Sequence, residues 1–307
     1  MQAKKRQSGL PFSRRVRHGL HRLLHVPGNR SLWGSLLGIA FLALMGAFVA
    51  LPLLYVISNA FKPLDEYFLF PPRFFVQNPT LQNFSDLAAL MQNSWVPFTR
   101  YAFNTVFMTF SGTLLHILFA SMAAFVLEKH VFPGRKAFFT LVTTTLMFSP
   151  VVMWVPNMLI MSRLGLMDTY WALILPVTGM PLGLFLMKQF MSVVPDTLLE
   201  AARIDGMKEG RLFFTIVMPI VRPAWMTLMI LCIKDLWNAT GAFFIRSEQL
   251  KTLPYAMNNI LFANGGGAAR AGAGSAVGLV LISVPVLIFF FAQRSIIETM
   301  ATSGIKE

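Results

Sequence analysis

Residues 198–219 read "LLEAARIDGMKEGRLFFTIVMP", the most charged and helix-favouring stretch of an otherwise oily chain. The side of a membrane that it faces decides how the rest of the sequence is threaded. Thr197-Leu-Leu-Glu200 has the spacing of a capping box, in which the threonine hydroxyl accepts from a backbone N–H and Glu200 reaches back. Asp196, after Pro195, is a rival cap. "LLEAARID" continues as good helix sequence, and Gly206 suits the left-handed position that ends such a helix. A second helix is expected from near Lys208 to Pro219, where the missing N–H and the ring clash favour a bend into the apolar sequence that follows.

Of 307 residues, 55% are hydrophobic and 13% charged, with a mean hydropathy of +0.61. Soluble domains carry about 25% charged residues, so this chain cannot cover a water-facing surface. It reads as an integral membrane protein with one membrane domain. A single cysteine, Cys232, excludes an internal disulfide framework and a thiolate metal cluster. The histidines at 18, 21, 25, 116 and 130 show no metal-ligand spacing, so no metal site is expected. The net charge of +13 invites a nucleic-acid reading, but eight Lys/Arg, from Lys4 to Arg30, precede the first apolar run with no acidic residue among them. That asymmetry belongs to a cytoplasmic end beside anionic lipid. Membrane lipid is the expected partner, and nucleic acid is not.

Apolar runs of about 20 residues mark spans, and six are predicted: 32–58, 102–127, 138–161, 169–187, 223–245 and 274–293. The first is too long for a signal-peptide core, so it reads as an uncleaved anchor. Residues 59–100, dense in Pro and Asn, are expected to form a loop with short helices. Residues 246–273, polar and then glycine-rich, are expected to form a flexible outer loop. Six spans place both termini on one side. With the termini in the cytoplasm, the inward segments hold 18 Lys/Arg and the outward segments 7, the bias that cytoplasmic loops carry. The expected architecture is all-α: a basic cytoplasmic segment 1–31, then a transmembrane domain 32–307 whose segment 196–219 lies in the cytoplasm between spans four and five.

The residues alone leave that segment two roles, an amphipathic linker or a docking element. Ala201 and Ala202 give its first helix a thin flank that lets another protein approach, and its apolar area is too small for lipid alone to hold. The pattern Glu200-Ala201-Ala202, three residues, Gly206, nine residues, Ile216, one residue, Met218-Pro219 resembles the EAA signature of ATP-binding-cassette importer permeases, EAA-x3-G-x9-I-x-LP, with Met218 in place of Leu. "FPPRFFVQNPTLQNF", "RYAFNTVFMT", "LPYAMNNI" and "FAQRSIIETMATSGIKE" are similar to maltose-type carbohydrate permease subunits, and the resemblance covers roughly residues 35–307.

That resemblance implies a coupling helix seated in a cleft of an ATPase subunit. It carries the docking role onto Glu200, Ala201, Ala202, Arg203, Asp205 and Gly206, with Ile216 and Pro219 setting the helix angle and the tail "TSGIKE" as a further contact. It also implies a non-enzymatic subunit in the bacterial cytoplasmic (inner) membrane. Its partners would be a second homologous permease subunit, two ATPase subunits and an extracytoplasmic solute-binding protein. The cargo would be a carbohydrate, an oligosaccharide in particular. No Walker motif is present, so ATP and Mg are expected on the ATPase chains and no cofactor on this one. A non-sugar or phosphorylated polyol cargo is the nearest alternative. A gradient-driven secondary transporter is the rival from another class; it predicts paired intramembrane carboxylates, where this chain offers Asp235.

Lys234 and Asp235 fall near the middle of the fifth predicted span, where a charge costs several kcal/mol and faces a wet cavity or a partner. With Trp237 and Asn238 they are candidates to line a sugar pathway, polar groups serving hydroxyls and an aromatic face serving the ring. Adjacent helical residues diverge by about 100°, so the two charges are not expected to pair. Pro150, Pro156 and Asn157 in span three, and Pro176 and Pro181 in span four, break helical hydrogen bonds, and Asn157 joins the pathway candidates. The freed carbonyls either line a cavity or are satisfied by neighbours. His116 is expected to be a satisfied histidine of the bundle.

Overall fold

The computed structural model describes residues 32–92, 96–149, 151–262 and 271–303. The basic leader 1–31, Pro150, most of the glycine run and tail residues 304–307 lie outside the described residues. Among those described, every regular element is helical. The chain divides into two units, residues 1–57 and 58–307. The described part of the first is one apolar helix, α1 (Leu32–Ala60), which holds Pro52 and runs into the start of the second.

In the second unit, residues 59–97 hold two short helices, α2 (Leu64–Tyr67) and α3 (Gln82–Gln92). Buried side chains fasten this loop: Lys62 Nζ donates to Asn59 Oδ1 at 2.9 Å and to Arg73 O at 2.8 Å. Glu66 accepts from the N–H groups of Gln77 and Asn78. The long helix α4 (Phe98–Lys129) is the axis of the unit, packed against α7 (Trp171–Thr178), α8 (Pro181–Met191) and α12 (Arg222–Trp237). Its buried face carries Met108, Gly112, His116, Ala120 and Ala124, small residues alternating with larger ones, so neighbours pack close. A Cβ on Gly112 would stand 2.7 Å from Leu236 Cδ1. The last helix, α14 (Ala271–Ser303), packs against α12 and α3.

Three described helices are long and apolar enough to cross a membrane: α1 over Leu36–Ala60, α4, and α14 over Gly272–Phe291. Two bent pairs raise the number to at most five among the described residues, if each pair is taken as one span. One is α7 with α8, bent by 40° where Pro181 opens the second member; the other joins Glu209–Ile220 to α12, bent by 81°. Of the six spans expected from the sequence, the fourth and fifth are therefore bent pairs, the fourth at a proline the sequence marks as a break. The third is two short helices, α5 (Arg135–Thr145) and α6 (Trp154–Arg163), with residues 146–149 and 151–153 between them in turns or irregular backbone. The hydroxyls of Thr143, Thr144 and Thr145 fold back onto carbonyls one turn earlier, a competition that weakens and bends helices. The fifth ends at Trp237, short of the predicted 245, with Asn238 capping it through Lys234 O at 2.8 Å. A further helix, α13 (Leu253–Phe262), lies in what the sequence suggested was loop.

Candidate functional site

The stretch that opened the sequence folds as a hairpin. Its first arm is α9 (Asp196–Ile204). Its second is α10 (Glu209–Leu212), a π-helical turn over Phe213–Val217, and α11 (Met218–Ile220). The expected capping box does not form. Pro195 is the N-cap, without a side-chain bond, so the helix starts two residues earlier than a Thr197 cap would set and Thr197 sits too deep for its hydroxyl to cap.

The turn follows the glycine rule closely. Gly206 has φ +79°, its N–H donates to Arg203 O at 3.0 Å, and the Met207 N–H donates to Ala202 O at 3.0 Å, the pair of bonds that defines a Schellman motif. In the second arm, the Met218 N–H reaches back five residues to Phe213 O. This wide turn lets Pro219 enter without an N–H of its own, and the sharp bend falls after Ile220, later than the proline predicted.

Leu199, Ala202, Leu212, Phe213, Val217 and Val221 are buried in one core with Ala124, Met187 and Met191. Ala202 therefore faces the chain's own core, a correction to the expected two-alanine flank. Glu200, Ala201, Arg203, Asp205 and Gly206 face out, with Pro219 exposed and Ile216 half-buried. Ile204 is 86% exposed and Leu198 42%, so the outer face mixes apolar and charged groups.

Ionic ties brace both arms. Arg203 Nε donates to Glu209 Oε1 at 2.6 Å, and Glu209 lies 4.0 Å from His130 Nε2. Lys129, its side chain only 5% exposed, donates to Val194 O at 2.6 Å and to Asp196 Oδ1 at 2.7 Å. The hydrogen bond and charge of Lys129 hold the Asp196 carboxyl below its ordinary range. Beside them Glu128 takes Lys188 at 2.8 Å and Arg135 at 3.4 Å.

At the other end of α4, Tyr101 Oη donates to Glu248 Oε1 at 2.9 Å, and Asn104 Nδ2 donates to Gln249 O and Lys251 O, both at 2.9 Å. Thr105 Oγ1 accepts from the Leu253 N–H at 2.7 Å. The neighbouring loop is pinned by Asp168, at φ +61°, whose carboxylate accepts from the N–H groups of Arg246 and Ser247 and from the Ser247 hydroxyl. Those bonds keep the Asp168 carboxyl well ionised.

Two carbonyls freed by breaks find donors inside the bundle. His116 Nδ1 sits 3.2 Å from Thr178 O, at the break before Pro181, leaving the buried Nε2 with no partner among the described residues. Trp237, 7% exposed, donates its Nε1–H to Leu281 O at 2.9 Å. The residue that would normally donate to Leu281 O is Pro285, which has no N–H. Trp237, a pathway candidate from the sequence, is thus buried in the fold with its indole N–H engaged.

Lys234 and Asp235 lie in the last turn of α12, 68% and 46% exposed, with Nζ and Oδ1 4.0 Å apart. They stand at a helix end rather than mid-span, and they meet, contrary to the expected divergence. Asn238 is exposed and Asn157 half-buried. One exposed aromatic pair is Trp154 and Phe243, tilted together with centroids 5.1 Å apart, joined across so much sequence that no local pattern announced it. Cavities of about 630 and 530 Å³ open near the Phe98 end of α4, and neither is lined by Asn157, Lys234, Asp235 or Asn238.

The fold and hairpin define a helical membrane protein of the permease type, with a short ionically braced helix between two bent helix pairs. The chain belongs to the family of binding-protein-dependent transport system inner membrane components, whose profile matches residues 116–301. It is 32% identical to the arabinooligosaccharides transport system permease protein AraQ of Halalkalibacterium halodurans over 282 residues, 89% of this chain and 96% of that one. It is 30% identical to the sn-glycerol-3-phosphate transport system permease protein UgpE of Shigella flexneri over 223 residues, covering 69% and 79%. Among solved structures, a chain of a bacterial ABC transporter involved in the import of the acidic polysaccharide alginate shares the fold, with a TM-score of 0.70 at 20% identity over 87% of this chain and 98% of that one.

Proposed function

We propose that this chain is a permease subunit of an ATP-driven, binding-protein-dependent carbohydrate importer, forming half of the translocation pathway for an oligosaccharide. The observation that carries this reading is the hairpin: Glu200, Ala201 and Gly206 stand exposed on a helix closed by a Schellman turn, in a chain of the binding-protein-dependent family. Both termini and the hairpin face the cytoplasm. There α9 docks on one of two ATPase subunits, which bind ATP and Mg, and the chain itself performs no bond chemistry. A second homologous permease completes the pathway, and an extracytoplasmic protein delivers the cargo.

The pathway reading draws support from the break between α5 and α6 and from the end of α12. A helix interrupted at membrane depth is tolerated only against protein or water, where its backbone groups find partners. Trp154 and Asn157 at the start of α6, and Lys234, Asp235 and Asn238 at the end of α12, would meet the sugar. The names of oligosaccharide relatives favour sugar over the phosphorylated polyol named for UgpE.

The test is purification of the complex with its ATPase, companion permease and binding protein, followed by a ligand screen of the binding protein with oligosaccharides and glycerol phosphate. Sugar binding and sugar-stimulated transport are expected. Recovery as a lone gradient-driven transporter refutes the importer, and glycerol phosphate binding alone refutes the cargo. Gly206→Pro, which cannot hold φ +79° or donate to Arg203 O, should insert normally yet abolish transport. If transport and ATPase copurification both survive it, the coupling role fails.

A further inference from the structure

The two ends of α4 are held by different parts of the molecule. At one end Lys129 grips the entry of the hairpin through Val194 O and Asp196, and His130 faces Glu209 on the other arm. At the other end Tyr101, Asn104 and Thr105 take four groups of the segment 248–253: the Glu248 carboxylate, the Gln249 and Lys251 carbonyls and the Leu253 N–H. The distance from Tyr101 to Lys129 along the helix is about 42 Å at 1.5 Å per residue. α1 and α14 each contain a proline, Pro52 and Pro285, whereas the sequence of α4 contains none. Its ladder is continuous and its middle is clamped by α7, α8 and α12. A helix with an unbroken ladder and polar anchors at both ends moves as one body.

We propose that α4 is the strut that carries motion between the hairpin and the segment 248–253, with Lys129 as the positioning residue that fixes the hairpin to it. This rests on the importer reading. Lys129 suits the task because its stem is buried and its ammonium spans two acceptors on the residues that set the start of α9. When docked ATPase subunits shift α9, the pull reaches α4 through Val194 and Asp196. The same displacement then moves the Gln249 and Lys251 carbonyls through Asn104.

The test uses the assembled complex in lipid nanodiscs, with ATP plus vanadate as the only added probe, and reads amide hydrogen exchange across 248–253. In the wild type, trapping should change exchange at the Leu253 amide by about fivefold or more, the lower end of ordinary coupling between sites. Lys129→Met should erase that response while leaving exchange without nucleotide unchanged, which a merely structural role would not do. Lys129→Arg, able to reach both acceptors, should restore it. A wild-type response in Lys129→Met, or no response in the wild type, overturns the strut. If Lys129→Met does not assemble, the surface variant Asp196→Ala decides: a reduced response supports the strut and a full one overturns it. Failure of the ATPase to copurify with the wild type overturns the importer reading, and the strut with it.

Discussion

Replacing Trp237 by Phe keeps the buried ring and removes one atom's work, the Nε1–H donated to Leu281 O at 2.9 Å. That carbonyl cannot fall back on its own helix, since the donor one turn on is Pro285. An orphaned buried carbonyl costs about 1–3 kcal/mol in soluble proteins. Within membranes hydrogen-bond couplings average about 0.6 and reach about 1.7 kcal/mol, because the unfolded segment also finds partners. With the local partner abolished by the proline, the cost should fall at the upper end of that membrane range, about 1.5 kcal/mol. The assay is reversible unfolding in mixed detergent–SDS micelles, followed by helicity. The control lies in a second variant. Pro285→Ala restores an N–H one turn from Leu281, so Trp237→Phe made in that background should cost well under half as much. Equal costs in the two backgrounds would refute the carbonyl account and leave only the packing of the indole.

Three further outcomes are expected. Gly183→Ala should destabilise the bundle by about 1–3 kcal/mol in the same assay through overpacking, because its Cβ would meet His116 Nε2 at 2.1 Å; adding His116→Ala should recover part of the loss. At Gly206 a Cβ meets nothing within 4 Å, so cost should follow backbone preference alone: Asn within a few tenths, Ala about 1 and Val about 2 kcal/mol, read as hydrogen exchange at the Met207 amide, with equal Asn and Val effects as the contrary result. Because Lys129 lowers the pKa of Asp196, the tie contributes fully above the ordinary aspartate value, about 3.9, and is lost as pH falls through the lower folded value. Exchange protection at α9 should thus be level from neutral pH to about pH 5 and fall only in stronger acid, the fall vanishing in Asp196→Ala.

The parts that were legible in the sequence are those governed by short-range backbone rules. Gly206 was readable as a left-handed stop because the rule involves only residues 202–207, and Pro181 as a break because a proline disrupts its own turn. The capping box failed on the same scale, displaced by two residues when Pro195 took the cap. The facing of Ala201 and Ala202 was not legible: they differ by about 100° of helical phase, and only the core built from α4 and α8 decides which is covered. The nearest signal was the Leu199/Ala202 spacing, blurred by Leu198 and Ile204, equally apolar and exposed. Lys129 entered the sequence reading as one more cytoplasmic charge, since its acceptors lie 65 and 67 residues away.

The same distinction explains why the turn of the hairpin could be read from its own residues and the surroundings of the α12 end could not. The hairpin completes itself, with turn, core and ionic braces all supplied by this chain. The end of α12 does not. Its 16 residues rise about 24 Å, less than the roughly 30 Å of hydrocarbon, and it stops in the exposed polar side chains of Lys234, Asp235 and Asn238. Lipid cannot satisfy those groups, so what surrounds them is water, cargo or a second protein, none of which is written in one sequence. Trp237 shows the consequence: on composition alone it looked like a sugar platform, yet its indole N–H was already committed to the carbonyl that Pro285 leaves bare. An aromatic in such a chain becomes a candidate for cargo only after the carbonyls orphaned by prolines have been assigned their donors, a condition that Trp154 and Phe243 meet by exposure and Trp237 fails.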